Sequence, residues 1–275
     1  MNDAHDLSPA AHMPPPCIGV FDSGVGGLSI LRSLRQRLPD AAVLYVGDVA
    51  WAPYGDRSAE AVVGRSIRVV ACLVAQGATL VIVACNTATV LAIETLRARW
   101  PSTIFVGVEP GVKPAAMKSP TRRLAVMATS ATASSERLRH LIARYAEGAH
   151  VHVQPCPGLA DAIERGALSG PSLLQVLEPY AQAIVAQEVD TVVLGCTHYA
   201  FVEETIRALL VPGTVLVDTA SAVAERAASL WERTPALFGA GSTVRVLSTG
   251  APETMQLLLR TCPGLEAVSV ESHAI

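Results

Sequence analysis

Short runs of Val, Ile and Leu alternate along the chain with longer stretches whose apolar residues recur every three or four positions. The short runs, at 17–21, 42–46, 79–84, 103–108, 124–128, 151–154, 191–194, 214–217 and 243–247, predict strands. Near-continuous apolar strands of this length suit a parallel sheet covered on both faces. The stretches between them, at 28–38, 58–76, 89–99, 134–146, 172–187, 201–210 and 220–231, predict helices. Gln76-Gly77 supplies a stop for the second of these. Regular alternation of strand and helix predicts the α/β class, doubly wound with mainly parallel sheets.

A weak internal repeat refines this. Residues 80–87 (LVIVACNT) align with 191–198 (TVVLGCTH), and 20–24 (VFDSG) align with 127–131 (MATSA), both about 110 residues apart. Two matches at one offset predict two similar lobes with a cleft between them. The first lobe then runs over 17–109 and the second over 110–216, and elements in 217–275 return to the first. Residues 1–16 read as a disordered tail.

Composition excludes several classes. Of 275 residues, 51% are apolar and 16% charged, enough for a large core without disulfides. Twenty-one basic and 24 acidic residues give net −3 without a charge block, which argues against nucleic-acid binding. The richest apolar stretch, 78–93, is interrupted by Cys85-Asn86-Thr87, so no membrane helix is expected. The first 16 residues lack a basic start and apolar run, so no export signal is read. A cytoplasmic protein with six reduced cysteines follows. No CxxC or HxxxH spacing supports zinc, and Lys113 and Lys118, the only lysines, leave little for a Schiff-base cofactor.

Ligands of open α/β sheets lie beyond the carboxyl ends of strands. The first strand is followed by Asp22-Ser23-Gly24-Val25-Gly26-Gly27. This reads either as a nest of bare N–H groups for a carboxylate or phosphate, or as a plain glycine turn with Asp22 as helix cap. Ser29 breaks the dinucleotide fingerprint, and the absence of Lys excludes a Walker loop. Two other strand ends carry Cys85 and Cys196. Cys17, Cys72, Cys156 and Cys262 read as small buried hydrophobes. Cys85 and Cys196 instead precede amide, hydroxyl or imidazole groups near a helix N-terminus, which lowers a thiol pKa. One such thiol suggests a nucleophile, whereas two related by a repeat suggest acid and base facing each other. His198 can serve the second thiol or be structural. His150 and His152 read as surface residues on a strand. Pro53-Tyr54-Gly55 reads as a turn whose Tyr hydroxyl and Gly N–H are within reach of a ligand.

Further motifs join these in one order: Phe21 to Leu28, Pro53-Tyr54-Gly55, Ala84-Cys85-Asn86-Thr87-Ala88, Gly107-Val108-Glu109-Pro110, Cys156-Pro157 with Glu164-Arg165-Gly166, and Gly195-Cys196-Thr197-His198-Tyr199. Together they resemble the glutamate racemases of the cofactor-independent aspartate/glutamate racemase superfamily, over about 18–253. The resemblance implies proton transfer at Cα of glutamate between two thiols, Cys85 serving the D-enantiomer and Cys196 the L-enantiomer. It implies that Asp22 and Ser23 hold the substrate ammonium and tune the first thiol. Tyr54, Gly55, Asn86 and Thr87 then bind carboxylates, Pro53 and Thr197 contact substrate, and His198 with Glu164 assists Cys196. No cofactor or metal, a homodimer, and a role in supplying D-glutamate for peptidoglycan are further implications.

Two departures stand out. The family pattern Thr-x-Gly-Thr is here Thr129-Ser130-Ala131-Thr132. Both threonines of the substrate pattern remain, but a positive φ at Ala131 would be strained. Ala251 stands where Asp is usual, with little effect expected. Aspartate racemases of the superfamily commonly carry Glu after the second Cys-Thr, so His198 favours glutamate. One methylene is worth only ~1–3 kcal/mol, and aspartate therefore stays open as a substrate. A non-catalytic sensor on the same fold is the rival of another class, against which both cysteines argue. A regulator of DNA gyrase, a second role of some relatives, finds no basic patch here.

Overall fold

The computed structural model describes residues 14–234 and 241–275. The expected tail therefore lies outside the described residues up to position 13. Among the described residues, ten strands form two parallel sheets. The larger contains β1 (Cys17–Asp22), β2 (Val43–Gly47), β3 (Ala78–Val83), β4 (Ile104–Gly107), β9 (Val244–Ser248) and β10 (Val270–Ser272), in the order β10-β9-β2-β1-β3-β4. The smaller contains β5 (Arg123–Ala128), β6 (His150–Pro155), β7 (Thr191–Leu194) and β8 (Val215–Val217), in the order β6-β5-β7-β8. The orders β2-β1-β3-β4 and β6-β5-β7-β8 match position for position, so the repeat seen in the sequence is also a repeat of topology.

The helices are α1 (Leu28–Arg37), α2 (Ala59–Ala75), α3 (Asn86–Arg99), α4 (Val112–Lys118), α5 (Ser130–Ala133) and α6 (Glu136–Tyr145). There follow α7 (Leu159–Glu164), α8 (Pro171–Val185), α9 (Glu203–Leu209), α10 (Ala220–Glu232) and α11 (Glu253–Arg260). Every residue of β1 is buried, as a central strand covered on both faces requires. On α1, the residues Leu28, Ile30, Leu31 and Leu34 are fully buried, each worth ~1.5–3 kcal/mol of burial. This face packs largely on α10, which with β9 beside β2 returns the chain to the larger sheet.

Local capping explains several boundaries. The helix expected at 89–99 begins at Asn86, because Cys85 is its N-cap and its sulfur accepts the Ala88 N–H. The helix expected at 134–146 is preceded by one separate turn, α5, capped by the Thr129 side chain. The strain anticipated at Ala131 does not arise: this residue lies within α5, and among the described residues the non-glycine positions with positive φ are Arg122 and Glu188. The helix expected at 201–210 begins later, as α9 at Glu203, because Phe201 and Val202 belong to a preceding 3-10 stretch, Thr197–Val202. The short elements α4, α7, α11 and β10 carry too few periodic positions to have been anticipated.

Candidate active site

The carboxyl ends of the two sheets face each other across a tight cleft. Asp22 ends β1, Thr129 follows β5, and Cys85 and Cys196 each follow the equivalent strands β3 and β7 by two residues. Three hydrogen bonds cross the cleft. The Val25 N–H donates to Glu164 Oε1 at 2.8 Å, the Thr197 hydroxyl donates to Asp22 Oδ2 at 3.3 Å, and the hydroxyls of Thr87 and Thr129 lie 3.0 Å apart.

The glycines after β1 have a role the sequence alone did not reveal. A Cβ at Gly24 would run into the Glu164 carboxylate, and one at Gly26 into His198 and Thr197. They are needed for close approach of the second lobe rather than for a positive φ. Asp22 is not the cap of α1, whose N-cap is Gly27; its Oδ1 accepts the Gly24 N–H at 2.8 Å. Fully buried, Asp22 has its carboxyl pushed up to about 6, first by burial, against the pull of His198 and the Gly24 N–H.

The first thiol, Cys85, donates to Ser23 Oγ at 3.5 Å and accepts the Ala88 N–H at 3.4 Å. Burial and then the Asp22 charge push it up to about 12, against the two hydrogen bonds. It therefore holds its proton, and the helix terminus does not overcome desolvation.

The second thiol has a different setting. Cys196 Sγ lies 3.6 Å from His198 Nδ1, and His198 Nε2 lies 2.5 Å from Glu164 Oε1. Burial opposes a charge on His198, but Cys196 and then Glu164 outweigh it and raise the imidazole well above its ordinary range. Thiol, imidazole and carboxylate thus form a linked chain, all but closed to solvent. The second Glu164 oxygen, Oε2, is buried without a hydrogen-bond partner. Glu164 ends α7, a helix the hydropathy pattern did not predict, which packs against the 3-10 stretch that carries His198.

The remaining residues line the same region. The Asn86 amide donates to Val108 O at 3.4 Å, at the exit from β4. Thr129 Oγ1 lies 3.1 Å from Thr132 Oγ1 and caps α5, so Thr87, Thr129 and Thr132 form a hydroxyl cluster shared by both lobes. Pro53 precedes a 3-10 turn, Tyr54–Asp56, in which Gly55 abuts Thr129: a Cβ there would meet the Thr129 Cβ at 3.0 Å. The Tyr54 hydroxyl faces away, donating to Asp48 Oδ2 at 2.6 Å. What this turn offers a ligand is backbone N–H, since the first residues of a helical turn have no donor partners within it.

Sequence reasoning missed Asp48 and Arg65, a buried ion pair behind this turn. Asp48 follows the end of β2, so the strand-end rule that singled out the other positions would have found it. Cys72 also differs from its reading as a buried hydrophobe: it is half-exposed, with its sulfur 3.5 Å from His273 Nε2.

Donor atoms of Asp22, Glu164 and His198 lie within 4.8 Å of one another, a spacing that suits a metal ion. Both ring nitrogens of His198 already face partners, and Asp22 accepts two hydrogen bonds. The donor set is therefore a hydrogen-bonded network in which a metal would have to displace Cys196 or Glu164 from His198.

The Asp/Glu/hydantoin racemase family model matches residues 27–227. Glutamate racemase of Ectopseudomonas mendocina is 41% identical over 251 residues, 91% of this chain and 95% of the relative. That of Pseudomonas aeruginosa (strain UCBPP-PA14) is 43% identical over 88% of this chain and 92% of its own. The Escherichia coli glutamate racemase, solved with L-glutamate and the activator UDP-MurNAc-Ala, superposes with a TM-score of 0.83 at 31% identity, covering 95% of this chain and 99% of that one. The chain belongs to the Asp/Glu/hydantoin racemase family and, within it, to the glutamate racemases.

Proposed function

We propose that this protein interconverts L- and D-glutamate by moving a proton at Cα between Cys85 and Cys196, without a cofactor. The observation that carries this reading is the pair of buried thiols at equivalent strand ends of two repeated lobes sharing one cleft. A binding site needs neither thiol, whereas proton removal from one face and return to the other needs two groups.

The substrate ammonium fits between Asp22 and the unpartnered oxygen of Glu164, the two acidic groups of the cleft. The carboxylates are assigned to the N–H groups of the Tyr54–Asp56 turn and the hydroxyls of Thr87, Thr129 and Thr132. From L-glutamate, the Cys196 thiolate takes the α-proton while the C–H electron pair moves into the α-carboxylate. The Cys85 thiol then delivers its proton to the opposite face, leaving a thiolate there. The raised pKa of Cys85 keeps that proton ready, and His198, held by Glu164 and raised above its ordinary range, stands beside the Cys196 sulfur. Donors fixed around the carboxylate stabilise the developing enediolate in a water-poor site.

Production of D-glutamate for peptidoglycan, a cytoplasmic location and a homodimer belong to this proposal and rest on the family. Circular dichroism of D-glutamate and, separately, D-aspartate with purified protein tests the substrate. Decay of the glutamate signal alone supports the reading. Decay with aspartate overturns the specificity, and silence with both moves the sensor reading forward.

A further inference from the structure

We infer that Asp48 and Arg65 are positioning residues whose buried ion pair sets the place of the Tyr54–Asp56 turn against the second lobe, and with it the affinity for the substrate carboxylate. The inference rests on the racemase reading and adds residues to it.

Asp48 and Arg65 are almost wholly shielded from water. Arg65 donates to both carboxylate oxygens of Asp48, from Nε at 2.7 Å and from Nη2 at 2.5 Å. The Tyr54 hydroxyl at 2.6 Å and the Thr249 hydroxyl at 2.7 Å donate to the same carboxylate. Two charged arms and two hydroxyls thus satisfy Asp48 from three separate segments of chain.

The geometry connects this pair to the site on both sides. The Asp48 N–H donates to the backbone oxygen of Asp22 at 2.9 Å, and its own carbonyl accepts from Trp51 at 2.9 Å. The guanidinium of Arg65 stacks 5.3 Å from the centre of the Trp51 ring, in the same loop. The remaining arm of Arg65 donates to the Ile275 backbone oxygen at 2.5 Å. The loop from Asp48 to Tyr54 is therefore fixed at both ends and in its middle, and Gly55 is pressed against Thr129.

A buried ion pair is a poor source of stability, because hydrophobic residues of similar volume often serve as well. What it supplies is direction: a fork of fixed geometry on a planar carboxylate. The Tyr54 hydroxyl is committed to this fork, so the loop cannot shift without breaking a buried hydrogen bond.

The test is steady-state kinetics of Tyr54→Phe, Asp48→Asn, Arg65→Met and the double variant Asp48→Asn/Arg65→Met. Tyr54→Phe removes one hydroxyl from a ring still packed on Phe21, so it keeps the enzyme folded even where Arg65→Met does not. The expected result is a KM for glutamate about tenfold higher in Tyr54→Phe, the scale of one charge-assisted hydrogen bond, with kcat changed less. The double variant is expected to be no worse than the poorer single variant, because both break one network. Folded Tyr54→Phe with the wild-type KM, or a lowered melting temperature with both kinetic constants unchanged, overturns the inference. Failure of wild-type protein to racemise glutamate would instead defeat the function on which it rests.

Discussion

Replacing Asp22 by Asn should stabilise the fold while disabling the site. Asp22 is fully buried, and its carboxyl ionises near 6 rather than near 3.8, chiefly because burial penalises the charge. In the unfolded chain the group loses its proton near 3.8, and in the folded chain only near 6. Stability therefore falls as pH rises through this window and stays reduced above it. The gap corresponds to ~3 kcal/mol at neutral pH. Asn has nearly the same shape. Its carbonyl can accept the Gly24 N–H, and its amide can donate to the Thr197 hydroxyl, so both contacts of Asp22 survive. Urea denaturation should show Asp22→Asn more stable than wild type by up to ~3 kcal/mol at pH 7.5, with the advantage vanishing below pH ~4. Its kcat/KM should fall ~10- to 100-fold, because the substrate ammonium loses a charged partner. Equal stability of the two proteins at pH 7.5, or the same difference at both pH values, would refute the reasoning.

Three other outcomes follow. Cys85→Ala and Cys196→Ala should each abolish racemisation while keeping the wild-type far-ultraviolet spectrum; normal turnover in either would remove the two-thiol mechanism. Glu164→Gln takes away a charge that holds the His198 imidazole protonated, so the fall of kcat/KM on the alkaline side should move to lower pH. A limb that stays in place would show that Glu164 does not act through His198. Activity should survive exhaustive dialysis against a chelator and the absence of pyridoxal phosphate, and a loss restored by either addition would overturn the cofactor-free proposal.

The α/β class was legible because short apolar strands and amphipathic helices are local patterns, and the repeat around Cys85 and Cys196 was legible because both follow equivalent strands. Features that depend on the opposite lobe were not. Nothing near Gly24 or Gly26 in the chain announces Glu164 or His198, yet those side chains are why no Cβ fits there. The high pKa of Cys85 also ran against the local signal, since a helix N-terminus favours a thiolate while burial beside Asp22 opposes it more strongly. Asp48 had a signal in its place after β2, but Arg65 looks like an ordinary surface charge on a helix until Asp48 and Ile275 close around it. Phe201 and Val202 close a 3-10 stretch instead of opening the helix expected at 201–210, because apolar spacing does not separate a 3-10 turn from an α-helix.

The most direct test of two-thiol transfer is the fate of the Cα proton when L-glutamate is converted in D2O to a few per cent. Two separate groups require the D-glutamate formed to carry deuterium at Cα while the remaining L-glutamate keeps its proton. Protium carried over into D-glutamate, or deuterium washed into unreacted L-glutamate, would mean that one group serves both faces and would contradict the account.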